Sequence, residues 1–194
     1  MIKTVHKVTG IVLAGGLGRR MGGIDKGLVA LHGKPMVAHV LARLAPQVDE
    51  LLVNANQNLE QYAAFGYPVI PDDLAGYAGP LAGLQAGLSA AQHDLVATVP
   101  CDSPFLPQDL IARLKSALLE HQAQLAVAVT FNQPQPVFCL CQRSLLPHLT
   151  AFLDGGGRKI DAWYASLHTV EVNFDDENQA FKNINTPQEL AAET

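Results

Sequence analysis

The sequence predicts an α/β protein with three layers, in which helices cover both faces of a mostly parallel, mixed sheet. Short apolar runs alternate with helical segments four times in the first half of the chain, which is the pattern of a parallel sheet. Two later apolar runs are joined by a short connection, which favours an antiparallel pair. The 194 residues are 48% hydrophobic and 16% charged, so we expect one domain over residues 1–194.

Hydrophobic periodicity and turn residues place each element along the chain. Strands are expected at 11–14, 51–53, 68–70, 95–99, 125–130, 137–140 and 169–172. Helices are expected at 36–44, 59–65, 81–91, 108–120 and 145–153, then as a short helix from 158 and a last helix at 187–192. In the helix at 81–91, Gly83 and Gly87 are four residues apart, which permits close approach to a neighbouring element.

Glycine or polar residues follow each of the first four predicted strands. Gly15 and Gly16 follow the first strand, Asn54 the second, Asp72 the third and Asp102 the fourth. Open parallel sheets bind ligands outside the carboxyl ends of their strands. The sequence therefore predicts that these residues converge on a ligand site at one edge of the sheet.

The first strand runs into a basic loop that is rich in glycine. Its glycines are Gly15, Gly16, Gly18, Gly22 and Gly23, and its cations are Arg19, Arg20 and Lys26. Glycine lets backbone N–H groups approach phosphate oxygens, and the cations offset the phosphate charge. The Walker pattern fails at Ile24 and the dinucleotide pattern fails at Met21. We predict a phosphate-binding loop of another type, and the alternative is a surface loop with solvated arginines.

Asp102 is the candidate metal ligand. It follows an apolar strand and lies between two prolines, which stiffen its backbone. Mg²⁺ takes one or two carboxylates together with substrate phosphates, so a lone aspartate suits it. A turn aspartate is the alternative. Lys26 is expected to contact a phosphate, and a solvated side chain is the alternative. For Asn54, and for Asp72 beside Asp73, ligand contact and turn formation both remain open.

No pairing of a nucleophile with a base stands out, and the seven histidines are scattered. This fits a reaction in which the attacking group is a phosphate monoester. The second pKa of such a group is about 6, so it is mostly dianionic at neutral pH and needs no general base. Catalysis then consists of positioning and charge neutralisation by a metal, a lysine and backbone amides.

Charge and cysteine content exclude several classes of protein. The net charge of −5 disfavours binding to nucleic acid or acidic membranes. No apolar run is long enough for a signal peptide or a membrane helix. The odd count of three cysteines indicates reduced thiols, and we expect a cytoplasmic protein.

The motifs resemble those of the NTP-transferase family that includes molybdenum cofactor guanylyltransferases, the MobA family. The resemblance begins with Leu13-Ala-Gly-Gly-x-x-x-Arg-Met-Gly-x-x-Asp-Lys26 and runs nearly end to end. Its later motifs are Val53-Asn-Ala-Asn56, Asp72, Gly79-Pro80-Leu-x-Gly83, Pro100-Cys-Asp102-x-Pro104 and Asn183-x-Asn185-Thr-Pro187-x-Glu189. The resemblance implies a Rossmann-like fold.

The resemblance also implies an activity, substrates and a site. The family transfers GMP from GTP to the terminal phosphate of molybdopterin and releases pyrophosphate, with Mg²⁺ as cofactor. The implied GTP contacts are Leu13, Ala14, Gly15, Lys26, Asn54, Asp72 and Asp102. Asp102 is the implied Mg²⁺ ligand, and Asp102, Lys26 and Arg20 are the expected catalytic residues. The other implied lining residues are Gly79, Gly83, Asn183 and Asn185. Transient contacts with cofactor-biosynthesis proteins or apo-molybdoenzymes are expected.

Two alternatives remain for the function. Related enzymes use CTP or a sugar-phosphate acceptor, but cytidylyl-transferring relatives usually carry Ala-Ala-Gly where this chain has Ala14-Gly15-Gly16. The second glycine leaves room for the larger purine. The other alternative is a module that binds GTP without turnover. Arg158 and Lys159, which follow three glycines, are further candidate contacts for a second anion.

Overall fold

The computed structural model describes residues 6–14, 25–73 and 79–192, and its centre is a seven-stranded sheet. Its strands are β1 (Val8–Leu13), β4 (Glu50–Asn54), β5 (Val69–Ile70), β6 (Leu95–Pro100), β7 (Leu125–Thr130), β8 (Gln133–Gln142) and β9 (Thr169–Asn173). The short strands β2 (Ala30–Leu31) and β3 (Lys34–Pro35) form a separate antiparallel hairpin. The α-helices are α1 (Met36–Leu44), α2 (Leu59–Ala63), α3 (Pro80–Ala90), α4 (Leu110–Glu120), α5 (Leu146–Asp154), α6 (Ile160–Tyr164) and α7 (Pro187–Ala192). The predicted α/β class is confirmed.

The sheet has the strand order β5-β4-β1-β6-β8-β7-β9. The central strand β1 is parallel to both of its neighbours, β4 and β6. Within the described sheet, β8 alone runs against its neighbours, so the sheet is mixed and mostly parallel as predicted. Leu13 at the end of β1 is in register with Asn54 on β4 and Pro100 on β6, so these three strands end at the same level.

Alternate residues of β1 enter two cores on opposite faces of the sheet. Val8 and Val12 belong to the core that contains α1 and α4. Ile11 belongs to the other core, which contains α3, α5 and Trp163 of α6. Successive side chains of a strand point to opposite faces, so a strand that is apolar at almost every position is buried on both sides.

The start of β8 corrects one sequence-based interpretation. The segment 132–136 was expected to be a connection, but β8 already begins at Gln133. Its first residues pair only with β7, while pairing with β6 begins at Cys139. A proline is tolerated in a strand where its missing N–H breaks no hydrogen bond between strands. Pro134 lies in the part that pairs with β7 alone, and Pro136 lies in the stretch between the paired residues Gln135 and Cys139. A register shift between Val127 and Ala128 accompanies it.

Among the described residues, none of the helices combines the length and the apolar character that crossing a bilayer would require.

Gly87 brings α3 into close contact with β1, as the glycine spacing predicted. A Cβ at this position would lie 1.8 Å from Ile11 Cδ1. Ile11 has no exposed surface, so the methyl group has no open space into which to move.

We expect Gly87→Ala to lower the free energy of unfolding by about 1–3 kcal/mol, because the added methyl forces Ile11 out of its packed position. Without this contact the same change would raise stability by about 0.5–1 kcal/mol, since glycine is a poor helix former. Urea denaturation of Gly87→Ala measures the effect. Ile11→Val, which removes Cδ1, should restore most of the loss in the double variant. A Gly87→Ala protein that is more stable than the parent would contradict this account.

Candidate active site

The carboxyl ends of β1, β4, β5 and β6 meet at one edge of the sheet, as the sequence predicted. Ala14 N donates a hydrogen bond to Asn54 O at 2.7 Å, and Cys101 N donates to Leu13 O at 3.1 Å. These bonds continue the parallel ladders past the last paired residues. Leu13, Ala14, Asn54, Asp72 and Asp102 therefore lie along a single edge. Gly15 and Arg20 fall outside the described residues.

Asn54, which is buried, and Asp72, which is half-buried, form a polar pair at the ends of β4 and β5. Asn54 is only 2% exposed, and its Nδ2 donates to Asp72 Oδ1 at 2.9 Å and to Ile70 O at 3.2 Å. Asn56 donates to Asp72 Oδ2 at 2.8 Å, and its own Oδ1 accepts from Asp72 N at 2.8 Å. Both carboxylate oxygens of Asp72 are thus held, whereas Asp73 is exposed. Of the two adjacent aspartates, Asp72 is therefore the one that faces Asn54.

The N-terminus of α3 approaches the same edge through two glycines. Gly79 precedes the helix with φ of +73°, a left-handed backbone that favours glycine, and Pro80 begins the helix. A Cβ at Gly83 would lie 2.3 Å from Asn54 Oδ1 and 2.9 Å from Leu13 Cδ2. Gly83 therefore allows the helix to sit directly against the Asn54 amide. The first N–H groups of the helix and its positive end face this edge, which favours an anion there.

Lys26 and Asp102 form an ion pair beside this polar pair. Lys26 lies in a 3-10 helix (Lys26–Leu28), and its Nζ is 3.4 Å from Asp102 Oδ2 and 2.5 Å from Asn185 Oδ1. The side chains of Lys26 and Asp102 are 20% and 12% exposed, so Lys26 is held at the site rather than solvated. A charge-assisted hydrogen bond is typically about 2.7–2.9 Å long, so the 3.4 Å contact leaves the ammonium able to bind a further anion.

Burial raises the pKa of the Asp102 carboxyl above its ordinary value, and the nearby Lys26 ammonium opposes part of that increase. A raised pKa means that the folded state binds a proton more readily than the unfolded chain does. Asp102 therefore makes its largest contribution to stability at low pH, and that contribution falls as the pH rises through the raised pKa. A buried carboxylate that is costly to ionise is typical of functional sites.

The segment 183–189 closes the site from the other end of the chain. Ser103 Oγ donates to Asn183 Oδ1 at 2.5 Å, and Ile184 N donates to Asp102 O at 2.9 Å. A capping box then begins α7. Glu189 accepts from Thr186 N at 3.0 Å and from Asn185 N at 2.6 Å, and its own N–H donates to Thr186 Oγ1 at 3.1 Å. The capping box thereby fixes the backbone of the residue that contacts Lys26.

Sequence reasoning missed the partners that hold Asp72 and Asp25, the residue directly before Lys26. Asn56 binds Asp72, and its signal was the repeat of asparagine two residues after Asn54. Tyr62 of α2 and Asn58, which precedes α2, donate hydrogen bonds to Asp25. Nothing in the sequence pattern relates α2 to Asp25.

Arg158 has a local role that sequence reasoning did not anticipate. Its Nη1 donates to Leu153 O at 2.7 Å and to Gly157 O at 2.6 Å. The guanidinium thus donates to a carbonyl in the last turn of α5, and its contact with an anion stays a prediction.

Comparison with known proteins agrees with this geometry. The sequence profile of the MobA-like NTP transferase domain matches residues 10–170. The chain belongs to this family. As an NTP transferase it is a nucleotidyltransferase, and the matched region contains the strand ends with Asn54, Asp72 and Asp102.

Curated relatives cover almost the whole chain. A molybdenum cofactor guanylyltransferase of Cupriavidus taiwanensis is 54% identical over 190 residues, which is 95% of each chain. One of Ralstonia nicotianae is 53% identical over 192 residues, which is 94% of each chain.

Solved structures share the fold. The molybdopterin-guanine dinucleotide biosynthesis protein A of Archaeoglobus fulgidus superimposes with a TM-score of 0.80 at 25% identity, over 95% of this chain and 96% of that one. The 4-diphosphocytidyl-2C-methyl-D-erythritol synthase of Anaerococcus prevotii has a TM-score of 0.73 at 12% identity, over 96% of each chain, and shows the likeness of fold alone.

We expect Gly83→Ala to weaken nucleoside triphosphate binding by about tenfold or more. The hydrogen bond that Asn54 donates to the charged Asp72 is disrupted, and a hydrogen bond to a charged group contributes about 1.5–3 kcal/mol. The added methyl displaces the Asn54 amide, and Asp72 then loses one of its donors. Equilibrium titration with nucleotide measures the affinity. Gly87→Ala is the matched control, since it adds the same methyl one turn further along α3 and should leave the affinity unchanged. Equal losses in both variants would mean that displacement of the whole helix, and not of Asn54, is responsible.

Proposed function

We propose that this chain transfers GMP from GTP to the terminal phosphate of molybdopterin, with Mg²⁺, and releases pyrophosphate. The observation that carries the proposal is the Lys26–Asp102 pair, 3.4 Å apart, at the edge where four strands end. A cation and a carboxylate side by side suit a triphosphate and its metal ion. The names of the relatives at 54% and 53% identity support the choice of guanine nucleotide and molybdenum cofactor.

The proposed reaction needs no general base from the protein. An oxygen of the acceptor phosphate forms a bond to the α-phosphorus of GTP, and the bond from the α-phosphorus to the bridging oxygen of the pyrophosphate breaks. The second pKa of a phosphate monoester is about 6, so the attacking group is mostly dianionic at neutral pH. The protein has to bring two anions together and neutralise the charge that develops on the leaving group.

Each residue at this edge of the sheet has a separate role in the proposed reaction. Lys26 binds phosphate oxygens as a point charge and offsets the charge of the leaving pyrophosphate. Asn54 and Asp72, with their hydrogen bonds already made, present a rigid surface to the nucleoside. Leu13 and Ala14, with Gly15 of the loop, supply backbone contacts, and Arg20 supplies a further cation. The other residues proposed to line the site are Gly79, Gly83, Asn183 and Asn185.

Asp102 would hold the metal ion. Its donor chemistry fits Mg²⁺, because the ion prefers hard oxygen ligands and commonly takes one or two carboxylates plus phosphate oxygens. The side chain is 12% exposed, so its carboxylate can be reached from the edge of the sheet. When bound, Mg²⁺ supplies charge neutralisation at the triphosphate.

We also propose a cytoplasmic location and transient contact with the proteins that supply or receive the cofactor. The three cysteines, Cys101, Cys139 and Cys141, are free and buried, which suits a reducing compartment.

We expect Asp102→Asn to lower turnover at least about a hundredfold, since the loss of a single electrostatic group in an active site typically has an effect of this size. The melting temperature should stay the same or rise, because burial disfavours the carboxylate that the variant removes. Pyrophosphate release with GTP, Mg²⁺ and molybdopterin measures turnover.

Asp94→Asn is the matched control for this variant. Asp94 is an exposed aspartate directly before β6, at the end of the strand opposite to Asp102. Its substitution should leave turnover unchanged. Retained turnover in Asp102→Asn would remove Asp102 from the mechanism.

Nucleotide preference is tested by pyrophosphate release with GTP, CTP or ATP at equal concentrations. We expect turnover with GTP and little with CTP, because the second glycine leaves room for the larger purine. We expect little turnover with ATP, because the relatives are named guanylyltransferases. Turnover with CTP in place of GTP would favour a cytidylyltransferase. Binding of GTP without pyrophosphate release in the presence of molybdopterin would favour a nucleotide sensor.

A further inference from the structure

Asp25, the residue directly before Lys26, has a carboxylate that is held from three directions. Tyr62 Oη donates to Asp25 Oδ1 at 2.5 Å, and Gly27 N donates to the same oxygen at 3.2 Å. Asn58 Nδ2 donates to Asp25 Oδ2 at 3.0 Å. Asp25 is also the N-cap of the 3-10 helix that begins at Lys26. The carboxylate therefore fixes the backbone from which the Lys26 side chain extends.

Tyr62 connects this carboxylate to the hydrophobic core. It has no exposed surface and is the one buried residue of α2, where its ring packs in the core that contains α1 and α4. A buried hydroxyl needs a hydrogen-bond partner, and Asp25 provides it. Burial raises the pKa of Tyr62, so the hydroxyl stays protonated and remains a donor over the physiological pH range.

The hydroxyl also lies against the turn that follows Lys26. A Cβ at Gly27 would be 2.5 Å from Tyr62 Oη and 3.2 Å from Cys101 Sγ. Gly27 therefore packs between Tyr62 and Cys101, the residue before Asp102. The turn that carries Lys26 is held on one side by α2 and on the other by the end of β6.

The start of α2 is shaped to reach Asp25. Asn58 precedes the helix with φ of +52°, a left-handed backbone that asparagine tolerates better than most residues. Its side chain makes no hydrogen bond to the start of its own helix and is directed to Asp25 instead. Asn58 and Tyr62 are four residues apart, and both donate to the same carboxylate.

We propose that Tyr62 is a positioning residue that acts through Asp25 to hold Lys26 where it meets the triphosphate. The inference rests on the proposed function, in which Lys26 binds phosphate oxygens. The Tyr62 hydroxyl contacts Asp25 and the turn at Gly27, so its effect on the nucleotide is indirect. Its hydroxyl restricts the main chain at residues 25–27, so that the flexible lysine side chain starts from a fixed point and less freedom is lost when the nucleotide binds.

The first test is Tyr62→Phe, which removes the hydroxyl and keeps the ring. We expect the dissociation constant for GTP to rise about fivefold to tenfold, because one hydrogen bond to a carboxylate is lost while two donors remain. Tyr164→Phe is the matched control. Tyr164 is a buried tyrosine whose hydroxyl donates to Pro136 O at 2.5 Å in the other core. It should lose comparable thermal stability and keep the parent affinity for GTP.

Asn58→Gly provides a second variant in case Tyr62→Phe folds poorly. It removes the amide that reaches Asp25 Oδ2, leaves the core untouched, and keeps a residue that accepts positive φ. We expect a smaller loss of GTP affinity, about twofold to fivefold, for a hydrogen bond at an exposed position. An unchanged affinity in both Tyr62→Phe and Asn58→Gly would overturn the inference.

The deciding measurement is a double-mutant cycle with Lys26→Ala. If Tyr62 acts through Lys26, Tyr62→Phe should change GTP affinity less than twofold once Lys26 is alanine. An equal effect in both backgrounds would show that Tyr62 acts on the fold in general, and would overturn the inference while leaving the proposed function intact. An unchanged affinity in Lys26→Ala alone would instead overturn the role of Lys26, and the inference with it.

Discussion

The contact between the Lys26 ammonium and the Asp102 carboxylate is the interaction on which the site depends. A carboxylate that is mostly removed from water is costly to ionise, and its charge needs a nearby cation to be tolerated. Lys26 is that cation, yet its distance of 3.4 Å is long for a strong ion pair. The pair is therefore close enough to keep both groups at the site and loose enough to exchange partners when anions bind.

The sheet aligns the polar groups that surround this contact. β1, β4 and β6 are parallel and end in register, so the backbone that follows each strand emerges at the same level. Hydrogen bonds from Ala14 to Asn54 and from Cys101 to Leu13 extend this alignment by one residue. Helix α3 then approaches through Gly83, which has no side chain to hold it away from Asn54. The polar groups of the edge are placed by backbone geometry, and their hydrogen bonds fix the orientation of each side chain.

Sequence patterns predicted much of this arrangement. The helix at 36–44 and the strand at 125–130 have the bounds that periodicity gave, because apolar spacing is a direct signal of a buried face. The placement of Asn54, Asp72 and Asp102 on one edge followed from the rule for parallel strands. The position of β8 between β6 and β7 could not be predicted, since strand order depends on contacts between distant segments. The β2–β3 hairpin was also missed, because His32 and Gly33 adopt positive φ in a turn that carries no strong sequence signal.

The hydrogen bond between Lys26 and Asn185 joins residues that are 159 positions apart. Closing so long a loop has an entropic cost, and that cost is offset only after the intervening sheet has assembled. Lys26 therefore meets this partner only once the sheet has brought the two segments together. Until the sheet has assembled, the Lys26 side chain lacks the Asn185 contact that orients it in the folded protein.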